Sequence, residues 1–233
     1  MKKSVKFLTL LLTVAMLVPA TVKAQDEFEA SVGTDVVSSY IWRGQNLGDA
    51  SIQPSLSISY KGISLSAWGS VGLNREDTKE FDLTLGYSYD NFSLSLTDYW
   101  FTGGADNTNY FQYKNGTPHL YEAQIGYDFG FLSVNWYTNL FGCNYNEAGD
   151  KEYSSYISLA APFTFGGLDW TAELGATPWA NDFYGAESFA ICDLSLSASK
   201  EITVTPDFAI PAFAKVTLSP NANRAYFAFG VSF

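Results

Sequence analysis

Phe81-Asp82-Leu83-Thr84-Leu85-Gly86-Tyr87-Ser88-Tyr89, then Asp90-Asn91, then Phe92-Ser93-Leu94-Ser95-Leu96-Thr97: this stretch decides the fold. Up to Tyr89 every second residue is apolar and those between are small or polar. After Asp90-Asn91 the alternation resumes with Phe92 apolar. A period of two puts alternate side chains on opposite faces of a strand. In a hairpin closed by two residues, the flanking residues pair across the strands and point the same way. Tyr89 and Phe92 are both apolar, so pattern and turn agree on one register. Lys61-Gly62, between Tyr60 and Ile63, obeys the same rule, as does Gly130-Phe131, between Phe129 and Leu132.

Worked outward, the period holds from Phe28 to Phe233. It predicts about twelve antiparallel strands, near 28–43, 51–60, 63–73, 80–89, 92–101, 119–129, 132–141, 153–162, 168–177, 189–199, 208–219 and 225–233. The connections alternate between two kinds. Lys61-Gly62, Asp90-Asn91, Gly130-Phe131, Pro162 to Gly167 and Glu201 to Asp207 are tight. Gln45 to Ala50, Asn74 to Lys79, Thr102 to Pro118, Gly142 to Glu152, Pro178 to Ser188 and Pro220 to Arg224 are mostly longer and more polar. Short turns on one side and longer loops on the other describe an all-β, up-and-down transmembrane β-barrel with both termini at the short-turn end.

A soluble sandwich also alternates, but aromatic placement and the polar face favour lipid outside. Rings crowd the short-turn ends (Tyr60, Tyr87, Tyr89, Phe92, Tyr127, Phe129, Phe163, Phe165) and the loop ends (Tyr40, Trp42, Trp100, Tyr121, Phe141, Tyr153). Amphipathic rings prefer the headgroup level, which makes two girdles. The opposite face is mostly Ser, Thr, Gly and Asn with scattered carboxylates, as suits a wetted or polar-filled interior. Hydrocarbon offers backbone groups no partner, so only a closed sheet crosses it. The last strand, Ala225 to Phe233, alternates aromatics and ends on Phe233, resembling the signal read by outer-membrane barrel-assembly machinery.

The chain begins with Lys2, Lys3 and Lys6, an apolar run from Phe7 to Val18, and Val22-Lys23-Ala24. This predicts a signal peptide over residues 1–24, followed by a barrel domain over residues 25–233 in the outer membrane of a Gram-negative cell, with periplasmic termini. Without the leader, nine basic residues face 24 acidic ones, a formal charge near −15. Such a surface does not suit nucleic acid. Outer-membrane lipid and lipopolysaccharide are the expected surroundings. Cys143 and Cys192 make no disulfide framework and are expected as free thiols.

Ser38-Ser39-Tyr40-Ile41-Trp42-Arg43-Gly44-Gln45, Gln53-Pro54-Ser55-Leu56 and Ala67-Trp68-Gly69-Ser70 resemble the corresponding segments of the Gcw-chp family of bacterial outer-membrane proteins of unknown function. The match runs from about residue 35 to 70. The resemblance implies a barrel in the outer membrane and carries no functional residues.

With the apolar parity facing lipid, Glu29, Asp35, Asp82, Glu122, Asp128, Glu173 and Asp193 are the expected lumen acids, with Arg43 and Lys215 as bases. An acidic lumen favours cationic or neutral small solutes. The alternative is a plugged barrel whose interior charges pair with one another, Arg43 with a carboxylate for instance, and whose loops serve structural or adhesive roles. A further rival is a lipid hydrolase using His119, the sole histidine, which would need a nucleophile and an orienting acid beside it. No cofactor or metal motif is present; the acidic loop Asn146 to Glu152 matches no calcium spacing. The Gly- and Asn-rich segment Thr102 to Pro118 is a candidate for a loop folded into the barrel. Asp98 lies on the lipid parity and is expected near the interface, and Pro54 implies a weak ladder position.

Overall fold

In a computed structural model, the described residues are 28–74, 77, 79–102, 109–114, 116–205 and 208–233. The expected leader, residues 1–24, lies outside them. Twelve antiparallel strands close into a barrel: β1 (Glu29–Val37), β4 (Ser51–Tyr60), β5 (Ile63–Gly72), β6 (Lys79–Tyr89), β7 (Phe92–Thr102), β8 (His119–Asp128), β9 (Ser133–Gly142), β10 (Ser155–Phe165), β11 (Leu168–Thr177), β12 (Ala190–Thr205), β13 (Phe208–Ser219) and β14 (Arg224–Ser232). Two short strands, β2 (Tyr40–Trp42) and β3 (Gln45–Gly48), pair only with each other.

The turns fix the register. Tyr60 pairs with Ile63 around Lys61 (φ 48°) and Gly62 (φ 81°), and Tyr89 pairs with Phe92. Positive φ at the turn matches the twist of the flanking strands, which is why short hairpins choose it. Two turns are tighter than the sequence suggests. Phe165 pairs with Leu168 around Gly166-Gly167, so Pro162 stays inside β10, and β12 runs on to Thr205. A proline removes one donor from the ladder without ending the strand. Pro54 does the milder thing expected of it: on the β5 side Ile52 pairs with Val71 and Ser55 with Trp68, with no rung at Gln53 or Pro54, while both stay in register with β1.

Burial is inverted relative to a soluble protein. Val32, Leu56, Leu85, Tyr89, Phe129, Phe165, Phe227 and Phe229 are exposed, while Asp35, Gln53, Ser70, Asp82, Glu122, Asn135, Asn139, Ser158, Asp193 and Thr217 are buried. Each apolar set shares one strand parity and each buried polar set the other. Water would not support that outer surface, which is far larger than the apolar patches of soluble monomers. Hydrocarbon would.

The barrel closes along β1 and β14, where only Asp35–Ser232, Val36–Val231 and Val37–Gly230 are in register. Thr34 and Phe233 exchange backbone bonds at one end of this seam, and Ser38 N–H bonds Phe229 C=O at the other. The β1 to β4 connection then departs from the sequence reading. Residues 28–43 are not one strand: β1 ends at Val37, and residues 40–48 form the β2–β3 hairpin, which turns into the barrel.

Cys143 is exposed and Cys192 buried, both as free thiols. A membrane-impermeant maleimide should therefore label one cysteine in the folded barrel and two after heating in SDS; rapid double labelling of the native protein would contradict this placement.

Candidate functional site

The hairpin tip is a two-residue turn, Arg43 (φ 48°) and Gly44 (φ 77°), with Trp42 paired to Gln45. It starts from the β1/β4 wall and ends against β8, β9 and β10, half the circumference away in the strand order. The tip therefore spans the lumen. Arg43 Nη1 donates to Glu122 Oε2 at 2.6 Å and Nη2 to Oε1 at 2.8 Å, a two-pronged bond between side chains that are 4% and 3% exposed. Nη1 also donates to the Tyr184 hydroxyl at 2.8 Å, and the Tyr99 hydroxyl donates to Glu122 Oε1 at 3.0 Å. The guanidinium lies 4.3, 4.0 and 4.8 Å from the ring centroids of Trp42, Tyr137 and Tyr156. A planar cation can stack on rings while its edge bonds a carboxylate, which lysine cannot do. Tyr184, in the connection from β11 to β12, has its hydroxyl held above the ordinary phenol range by burial, against the opposing charge of Arg43.

Gly44 makes this docking possible. A β-carbon there would lie 1.8 Å from the Cys192 carbonyl oxygen and 3.1 Å from Ser219 Oγ. Tyr40 and Trp42 accordingly belong to the interior and not to an outer girdle: Tyr40 packs on Trp68, and Trp42 on Tyr99, Phe183 and Tyr184. Among the described residues, the segment that enters the barrel is this hairpin. In the loop 102–118, the candidate from the sequence, Tyr110 and Tyr113 lie instead against the outer-parity side chains Phe81, Trp100 and His119.

The remaining expected lumen residues fall into separate groups. Glu122 meets Arg43. Glu173 and Asp193 lie 3.7 and 3.9 Å from Lys215 Nζ. Asp82 is buried beside Glu80, two residues earlier on the same face of β6, with Tyr40 adjacent to Glu80. Glu80 has the same parity as Asp82 but stands at the strand end, where a boundary error of one residue removes it from a sequence list. Asp35 is buried on the inward parity of β1, and Glu29 lies on that parity at the opposite end. Asp128 accepts a bond from Gly130 N–H at 2.7 Å and so caps a short turn.

Outside the barrel, His119 Nδ1 bonds Asp98 Oδ1 at 2.7 Å and Nε2 bonds the Tyr110 carbonyl at 2.6 Å. Asp98 is on the lipid parity, as the sequence predicts, and the histidine and the overlying loop shield it. The two ring nitrogens are engaged by a carboxylate and a backbone carbonyl, and neither of these contacts is the Ser, Thr or Cys nucleophile that a hydrolase would place beside its histidine.

A family model described as "Bacterial protein of unknown function (Gcw_chp)" matches residues 21–212. The chain belongs to this family. No curated protein matches the Gcw_chp chain. Among solved structures it is similar to the KdgM porin, with 11% identity, coverage of 88% of this chain and 98% of that one, and a TM-score of 0.46. It is also similar to the NanC porin, with 8% identity, coverage of 87% and 98%, and a TM-score of 0.45. In this Gcw_chp barrel the motif around Arg43 is the docked hairpin.

Replacing Glu122 with Ala should cost about 3–5 kcal/mol, because Arg43 is left buried and unpaired. Thermal unfolding in detergent measures this, and trypsin should now cut after Arg43, which the native barrel protects. Gly44→Ala should expose the same bond, and continued resistance of that variant would refute the close packing of the tip. Substituting His119 by Ala should release residues 109–113, read as faster chymotryptic cutting there, and should lower the unfolding temperature, because Asp98 on the lipid-facing parity loses its partner.

Proposed function

We propose that this protein is an outer-membrane barrel acting as a narrow passive pore for small cationic or neutral solutes, with the β2–β3 hairpin as its constriction. The observation that carries the reading is the polar layer around the hairpin. Buried Asn139, Asp193, Tyr156, Thr217 and Asp82 have side-chain atoms with no protein hydrogen-bond partner. Buried polar atoms are rarely left so, and these unmet donors and acceptors support an interior whose own contents, water or a polar solute, complete their bonding. Acids outnumber Arg43 and Lys215 on the inward parity, so the field inside opposes anions. The short-turn end, carrying both termini, is the periplasmic one in this proposal; the leader directs export, Phe233 engages the assembly machinery, and lipopolysaccharide surrounds the loop end.

A second reading has its own observation in favour. Arg43 fixes the hairpin across the lumen through buried bonds to Glu122 of β8 and Tyr184 of the β11–β12 connection and by lying over Tyr137 of β9 and Tyr156 of β10, which suits a plugged barrel whose loops serve structure or adhesion. Planar-bilayer recording separates the two. The pore reading expects small discrete steps from the wild type and larger steps, by several fold, once residues 40–48 are replaced by a short Gly/Ser linker. A silent wild type with a conducting hairpin deletion would establish the plug, and silence from both would end the transport reading.

A further inference from the structure

Below the hairpin tip, β10 to β13 bring together a group of oxygens that the constriction itself does not use. Asp193 is 1% exposed and neither of its carboxylate oxygens has a hydrogen-bond partner. Gly175, its register partner on β11, has no side chain, and the Tyr156 hydroxyl occupies that space, 1.7 Å from where a β-carbon would stand. That hydroxyl is also buried and unpartnered, as is Thr217 Oγ1, one register step away through Ser195 on β12. Glu173 completes the group. Lys215 approaches both acids, but at 3.7 and 3.9 Å its ammonium is too far for a hydrogen bond to either.

Two carboxylates share one ammonium, so the group holds one more acid than base. Around the carboxylates stand hydroxyls able to present lone pairs, and all the candidate ligands are oxygens. That donor set suits a hard cation and disfavours an anion. With two acids and one base it suits a single positive charge. The partly exposed side chains of Glu173 and Lys215 offer access, whereas Asp193 and Tyr156 are closed off.

The geometry points to a binding site for a small monovalent cation, an alkali ion or a primary ammonium group, held by Asp193, Glu173, Tyr156 Oη and Thr217 Oγ1 directly beneath the hairpin. The inference rests on the pore reading and deepens it by naming the class of solute detained just below the constriction. Lys215 then acts as a tethered competitor for the same charge, setting how tightly a free cation is held.

The test uses the full-length protein in detergent, with N-methylglucamine chloride replaced by potassium or ammonium chloride at constant ionic strength. The unfolding temperature of the wild type should rise saturably by several degrees. Thr217→Val and Tyr156→Phe, which keep every charge, should weaken the apparent affinity several fold. Asp193→Asn should abolish the effect, and Lys215→Met should tighten binding about tenfold. A wild type indifferent to the cation would overturn the site, as would charge-preserving variants that respond like the wild type. Potassium and ammonium titrations compared separately distinguish an inorganic ion from the head of an organic amine. In bilayers, Asp193→Asn should lower the potassium-to-chloride permeability ratio several fold. A silent bilayer with a retained thermal response would remove the pore and leave the site, while conduction whose selectivity ignores Asp193 would remove the site and leave the pore.

Discussion

The bond between Arg43 and Glu122 is what the interior is organised around. A guanidinium and a carboxylate taken from water lose solvation that only close, multiple contacts restore. Both oxygens of Glu122 are used, one of them twice, and three aromatic faces border the cation. Such an arrangement tolerates little displacement, so the hairpin has one seat on the far wall. Glycine at position 44 is the steric condition of the same contact, since any side chain there would meet the Cys192 carbonyl.

The wall around it obeys a different rule. Each strand carries its apolar side chains outward and its Ser, Thr, Asn and carboxylates inward, and the backbone is satisfied by closure alone. Stability of the wall comes from the continuous ladder and from lipid, not from an apolar core. The interior is therefore released from the usual demand for close apolar packing and holds charges that a soluble core would exclude. The Asp98–His119 pair is the outer counterpart: a carboxylate on the lipid-facing parity is kept there by a histidine and a strip of loop laid over both.

The barrel was legible because strand alternation and turn geometry are local properties of the sequence. Tyr60–Ile63 and Tyr89–Phe92 could be paired from their parity alone, and their register is as expected. The hairpin was not legible for the same reason. Tyr40 and Trp42 continue the alternation of β1 as though they were wall, and nothing within a few residues says that the chain has turned inward. Its one signal was Arg43-Gly44, a turn-compatible pair following two large rings. The acids of the interior could be placed on a face by counting, but their grouping depends on which strands stand opposite, and that is a property of the closed circle. Glu80 slipped past for a smaller reason, lying at the uncertain end of its strand.

The seam between β1 and β14 is the shortest junction in the wall, and the chain enters the hairpin immediately beyond it. Ser38 carries the last rungs there, its N–H on the Phe229 carbonyl at 2.8 Å and its hydroxyl accepting Phe229 N–H at 2.9 Å. The crossbar and the zipper of the cylinder are thus tied through one serine. A force that unseats the crossbar is delivered first to the zipper, and a wall that parts there loosens the crossbar's root, so that loss of the inner strut and sideways opening of the cylinder become one mechanical event.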